Sequence, residues 1–112
     1  MEDNTQHTPR ALIESMMCLN EHDAQEVLDN ATRVYWQYKD RGLSELREAL
    51  VKLRARYLEG RTPSLVILGD AYAIAVCVAI LEGYGRDRAG LMAVGILASW
   101  ERVRALWRGG LC

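Results

Sequence analysis

Phenylalanine is missing from this chain of 112 residues, and proline (two), histidine (two) and cysteine (three) are scarce. Each shortage excludes something. With prolines only at positions 9 and 63, long stretches are free of helix breakers, and a proline-rich or collagen-like architecture is excluded. Cys18, Cys77 and Cys112 are widely spaced and odd in number, so they form neither a paired-cysteine zinc pattern nor a disulfide framework. They suggest reduced thiols and a cytoplasmic location. The only histidines, His7 and His22, have no Ser/Asp or Cys partner in a nucleophile pattern, and no glycine-rich phosphate loop is present. The expectation is a protein that is not an enzyme and holds no cofactor and no metal. His22 and Glu26, with Glu14 or Asp23 nearby in sequence, offer two ligands at i, i+4, which is too few for a site.

Long hydrophobic runs are also rare. Residues 65–81 form the single extended one, 17 residues in which Asp70 is the only charge and Gly69 the only helix-weakening residue. It is short for a membrane span and carries a carboxylate, so no membrane partner is expected. The acidic N-terminus lacks the apolar core of a signal peptide, and a cysteine at the last position is not a prenylation box. The run reads instead as the buried axis of a soluble helical protein.

What is present fits one globular domain. Half of the residues are hydrophobic and 26% are charged, with a formal net charge of −1. Without Phe, all eight aromatic rings (five Tyr, three Trp) carry a polar handle, which suits rings with one end buried and the other wet. Residues 1–30 hold seven acids against one base, and residues 31–62 reverse this with eight bases against four acids. Pairing between these regions is expected first within one molecule and second between two.

Hydrophobic periodicity predicts an all-α, single-domain bundle of five helices with a buried central fourth helix, spanning residues 8–112 behind a flexible segment 1–7. Thr8 and Pro9 start the first helix, over about residues 9–19. Asp23, with Glu26 three residues on, caps the second, which runs to Arg41 and ends at a left-handed Gly42. The third covers residues 44–58. Thr62 and Pro63 repeat the first start signal, and the fourth helix extends to Glu82. Two lines of small residues, Ala71, Ala75, Ala79 and Gly69, Ala73, Cys77, give it close neighbours on two sides. The fifth runs from residue 87 or 88 to Arg108.

Asp70 admits three readings: a functional buried carboxylate, an N-cap if Gly69 breaks the helix, or a member of an ion pair with an Arg from another helix. The two structural readings are preferred. Trp36 projects away from the apolar stripe of the second helix, either lying flat over aliphatic stems or acting as an interface anchor.

These features point to a small regulatory protein–protein interaction module: an adaptor, inhibitor or regulatory subunit. One candidate partner surface comprises Trp36, Tyr35 and Tyr38, and another comprises Trp100, Trp107 and Arg104. The first half of the fifth helix is apolar all round, with an excess apolar face around Leu91, Val94, Leu97 and Ala98, so a homodimer through the C-terminal helices is expected. The alternative is a nucleic-acid-binding regulator using the basic third helix, with Arg47, Lys52, Arg54, Arg56 and Arg61 following phosphates. Glu45, Glu48 and Glu59 interleave with those bases, which weakens it.

Overall fold

Caps decide where the helices of this chain begin, and side-chain size decides how closely they pack. The computed structural model describes residues 8–108. Among them are five helices and no strand: α1 (Pro9–Met17), α2 (Glu21–Tyr38), α3 (Leu43–Leu58), α4 (Leu65–Leu81) and α5 (Arg86–Arg108). Segments 1–7 and 109–112, including the segment expected to be flexible, lie outside the described residues.

The Thr8 hydroxyl accepts a hydrogen bond from the Ala11 amide at 3.2 Å with Pro9 opening α1, as the sequence predicts. This helix stops at Cys18, whose φ of 54° is left-handed. The cap of α2 is Asn20 rather than Asp23: its side chain accepts from the Asp23 amide at 2.7 Å, so the helix starts at Glu21. Asp23 then lies in the first turn, where its charge favours the positive end of the helix dipole. Gly42 is not a left-handed terminator either. At φ −75° it is extended and precedes α3, while Gly83, with φ 103°, is the left-handed glycine after α4.

The fourth helix begins at Leu65 because the Ser64 hydroxyl accepts from the Ile67 amide at 3.3 Å, leaving Thr62 and Pro63 outside it. Gly69 does not break it, so Asp70 sits within the second turn and is not an N-cap. Glycine is needed there for packing: a Cβ on Gly69 would lie 2.5 Å from the Asn30 Cβ and 3.0 Å from the Val27 carbonyl oxygen of α2. This close approach makes α4 the centre of the bundle, packed against α2, α3 and α5.

The core joins Ile13 and Met17 of α1, Val27 of α2, Leu46 and Leu53 of α3, Leu68 and Ile74 of α4, and Val94 and Leu97 of α5. Val94 and Leu97 are thus covered by their own chain. The expectation that a second copy would cover them is corrected: beyond its charged first turn, the exposed side of the first half of α5 carries Leu91 and Met92 instead. Among the described residues no helix is long and apolar enough to cross a membrane.

Candidate functional site

A cleft of about 560 Å³ lies where the start of α1 meets the outer sides of α2 and α4. Its walls are Leu28, Tyr35 and Trp36 from α2 and Tyr72 and Val76 from α4, and Pro9 stands at one end. A second hollow of about 320 Å³ shares Tyr35, Trp36, Tyr72 and Val76 and continues the cleft toward Ile80, Arg86 and Gly90. On α4, positions 72 to 80 cover two turns, about 12 Å of groove at 1.5 Å per residue.

Helical spacing explains the walls. Leu28, Thr32 and Tyr35 recur at i, i+4, i+7 on α2, while Tyr72, Val76 and Ile80 recur every four residues on α4. Trp36 is 66% exposed, yet its ring is positioned: it meets Tyr35 edge-on at 5.5 Å, and the Lys39 ammonium lies 5.6 Å from its centroid. Tyr72 is half-buried, and burial raises its phenol above the ordinary value. Its hydroxyl reaches to 3.0 Å from where a Cβ on Gly90 would stand, so that glycine makes room for the ring. Thr32, also in the lining, turns its hydroxyl back onto the Leu28 carbonyl at 2.9 Å.

The charged groups at the cleft are both cationic. Arg10 donates to Glu21 at 2.5 Å and approaches Glu14 at 4.0 Å, whereas Arg86 has no ion-pair partner among the described residues. No acidic side chain lines either hollow. The arrangement offers apolar and aromatic surface to an occupant, with Arg86 as a cation unpaired among the described residues and Arg10 already paired with Glu21. It brings no nucleophile next to a base.

No family model, curated protein or solved structure matches this chain.

Of the first expected partner surface, Tyr35 and Trp36 line the cleft. Tyr38 is half-buried, packs against the core and carries the Arg41 guanidinium 5.0 Å from its ring. The second expected surface is corrected. Trp107 is exposed, but Trp100 is buried against Tyr57 with ring centroids 6.2 Å apart, and Arg104 is 1% exposed. The Arg104 guanidinium donates to both Glu101 carboxylate oxygens at 2.8 Å, and its remaining nitrogen donates to the Arg61 carbonyl at 2.6 Å and the Gly60 carbonyl at 3.3 Å. The Tyr57 hydroxyl donates to Glu101 at 2.5 Å. Burial pushes the Glu101 carboxyl up, but hydrogen bonds from Arg104 and Tyr57 outweigh it and hold the group below its ordinary value. Tyr57 moves the other way, raised by burial and by its bond to Glu101. These three residues tie α3 and the turn after it to α5, which is a structural task.

The basic residues of α3 do not converge. Arg47 and Arg54 lie seven apart on one side of the helix, and Lys52 and Arg56 lie on another side about 160° away at 100° per residue, with the core stripe between them. Arg47 pairs with Glu82 and Lys52 approaches Glu48 at 4.0 Å. Arg61 lies in the turn after α3, where its carbonyl is held by Arg104.

Asp70 is half-buried. Burial raises its carboxyl above the ordinary range and the Arg56 charge partly opposes this, with no ion pair to Asp70 among the described residues. His22, Asp23 and Glu26 bring their ligand atoms within 4.8 Å of one another at the exposed start of α2. His22 and Asp23 already interact at 3.4 Å. Cys77 is a buried free thiol whose acidity burial suppresses; Cys18 is not a free thiol, so the expectation of reduced cysteines is kept for Cys77 alone.

Sequence reasoning missed Tyr72 and Val76 as wall residues. Both sit inside a run so uniformly apolar that no face of the helix stands out. It also missed the Glu101 and Arg104 pair, although their i, i+3 spacing beside Trp100 was the available signal.

Proposed function

We propose that this protein is a non-enzymatic interaction module that binds another protein through the aromatic cleft between α2 and α4. The occupant is an apolar helical segment of about two turns with an acidic residue near its end. The observation carrying this reading is the exposed Trp36 beside an apolar groove lined by no acid and reached by the Arg86 cation. A large, fixed aromatic side chain next to a groove is the feature that most often dominates binding energy. Groove length matches a short amphipathic helix, and Arg86 is available to a carboxylate at its end.

The same reading includes self-association through the exposed side of α5 and a cytoplasmic setting. Nucleic-acid binding is the lesser alternative, because the α3 bases flank the core stripe on opposite sides and two of them face acids. It predicts binding that weakens steeply with salt.

Comparative affinity capture from the native host tests the proposal. A protein retained by the wild type and by Val51→Ala, an exposed change on α3, but lost with Trp36→Ala supports the cleft. Retention by all three contradicts it. Nucleic acid recovered at low salt and lost with Arg54→Glu and Arg56→Glu would transfer support to the alternative.

A further inference from the structure

We propose that Cys18 and Cys112 form a disulfide, a redox-sensitive clasp that fastens the end of α1 to the chain just beyond α5. Of the three cysteines in the sequence, Cys77 is a buried free thiol, whereas Cys18 is exposed and its sulfur is held in a disulfide. Within one chain, that leaves Cys112 as its partner.

Helix packing brings the two positions toward each other. Helix α1 lies along α5 and runs in the same direction: the Pro9 Cγ is 3.6 Å from where a Cβ on Gly90 would stand, and Met16, seven residues on, joins Ala98, Arg102 and Leu106 around a hollow of about 430 Å³. The end of α1 therefore points toward the end of α5. Cys18 follows Met16 by two residues, at the φ of 54° that ends the helix, and Cys112 follows Arg108, the last residue of α5, by four. Four residues span up to about 13 Å, and a disulfide adds about 5.5 Å between Cα atoms. With Met16 and Leu106 on the rim of one hollow, that length is enough to close the bond.

Closure is a thiol–disulfide exchange. The thiolate of one cysteine attacks a small-molecule disulfide such as oxidised glutathione, forming a mixed disulfide and releasing one thiolate, which takes up a proton; the second cysteine, as its thiolate, then attacks the protein sulfur of the mixed disulfide and expels the other small thiol. Two protein thiols lose two electrons and two protons, and the small disulfide gains them to become two thiols. In the cytoplasmic setting proposed above thiols are kept reduced, so the clasp closes only under oxidation. Once closed it bridges about 95 residues, and a cross-link over so long a loop strongly restricts the unfolded chain. It also fixes α1, whose nine residues are too few to hold a helix alone and whose first residue, Pro9, stands at one end of the cleft.

Peptide mapping tests the bond and thermal melts test the clasp. After treatment with oxidised glutathione, denaturation and alkylation, the full chain should take one label, on Cys77, and its unreduced tryptic digest should contain peptide 11–33 joined to peptide 109–112. Dithiothreitol should raise the count to three labels and lower Tm by about 10–20 °C, the effect of losing a cross-link over a loop of this length. Cys18→Ser and Cys112→Ser should each melt at the temperature of the reduced wild type and lose the response to dithiothreitol. Three labels after oxidation, a persistent glutathione adduct, or a link from Cys18 to Cys77 or to a second copy overturns the pairing. A joined peptide whose reduction leaves Tm unchanged, or a Cys112→Ser chain that still responds, overturns the clasp.

Discussion

Replacing Arg104 with alanine should cost this protein much of its stability. The Arg104 side chain is 1% exposed and makes two charge-assisted hydrogen bonds to Glu101, itself 7% exposed, at 2.8 Å each. Alanine leaves the carboxylate buried with the Tyr57 hydroxyl as its remaining donor, and frees the Gly60 and Arg61 carbonyls. Removing one partner of a buried pair costs about 3–5 kcal/mol, mostly because the other charge stays uncompensated. The two carbonyls lie near the surface and can turn to water, so they add little. Against a total of about 5–15 kcal/mol, such a loss should lower Tm by roughly 12–20 °C. Urea denaturation followed by helical circular dichroism is the assay. A control separates the pair from simple loss of packing: Arg104→Met combined with Glu101→Leu and Tyr57→Phe removes every charge and hydroxyl while keeping volume, and should be less costly than Arg104→Ala alone. A loss below about 1 kcal/mol for Arg104→Ala, or a triple variant worse than the single, would refute the reasoning.

Two further outcomes follow from the same contacts. The folded-state Glu101 pKa is lowered, so its contribution is fully present above the ordinary value of 4.5 and is lost as pH falls through the folded-state value. The urea midpoint difference between wild type and Glu101→Gln should therefore shrink from about pH 5 to pH 3, and a constant difference would contradict this; Asp70, raised by burial, contributes in the opposite sense and cancels in the comparison. Gly69→Ala, whose new Cβ would meet Asn30 at 2.5 Å, should destabilise by about 1–3 kcal/mol in a thermal melt, since backbone as well as side chain stands in the way.

Much of the fold was legible because helix number follows from apolar spacing and from the start and stop signals at Thr8, Asp23, Gly42 and Thr62. Start positions were less so where two capping residues compete: Asn20 precedes Asp23, and Ser64 follows Thr62, and only the amide geometry decides between them. The small residues of α4 correctly indicated close packing, and Gly69 against α2 is its clearest instance. Side-chain environment was harder to read. An arginine at the end of an amphipathic helix looks like a solvated charge, and nothing local reveals that the turn after α3 presents two carbonyls to Arg104. In the first half of α5, composition suggested an apolar surface all round, whereas Val94 and Leu97 turn inward and Leu91 and Met92 turn out. Trp36 could be read from its departure from the stripe, but the opposite wall of its cleft could not, because every face of α4 is apolar.

Trp36 is the side chain on which partner binding at the cleft depends most. Once a partner has been captured, isothermal titration of that partner against wild type and Trp36→Ala measures what the cleft contributes. Trp36 is 66% exposed, so the variant should fold with nearly unchanged stability. The cleft reading predicts affinity weaker by about thirtyfold or more, the loss of a dominant aromatic contact. Equal affinity for the two proteins would contradict it.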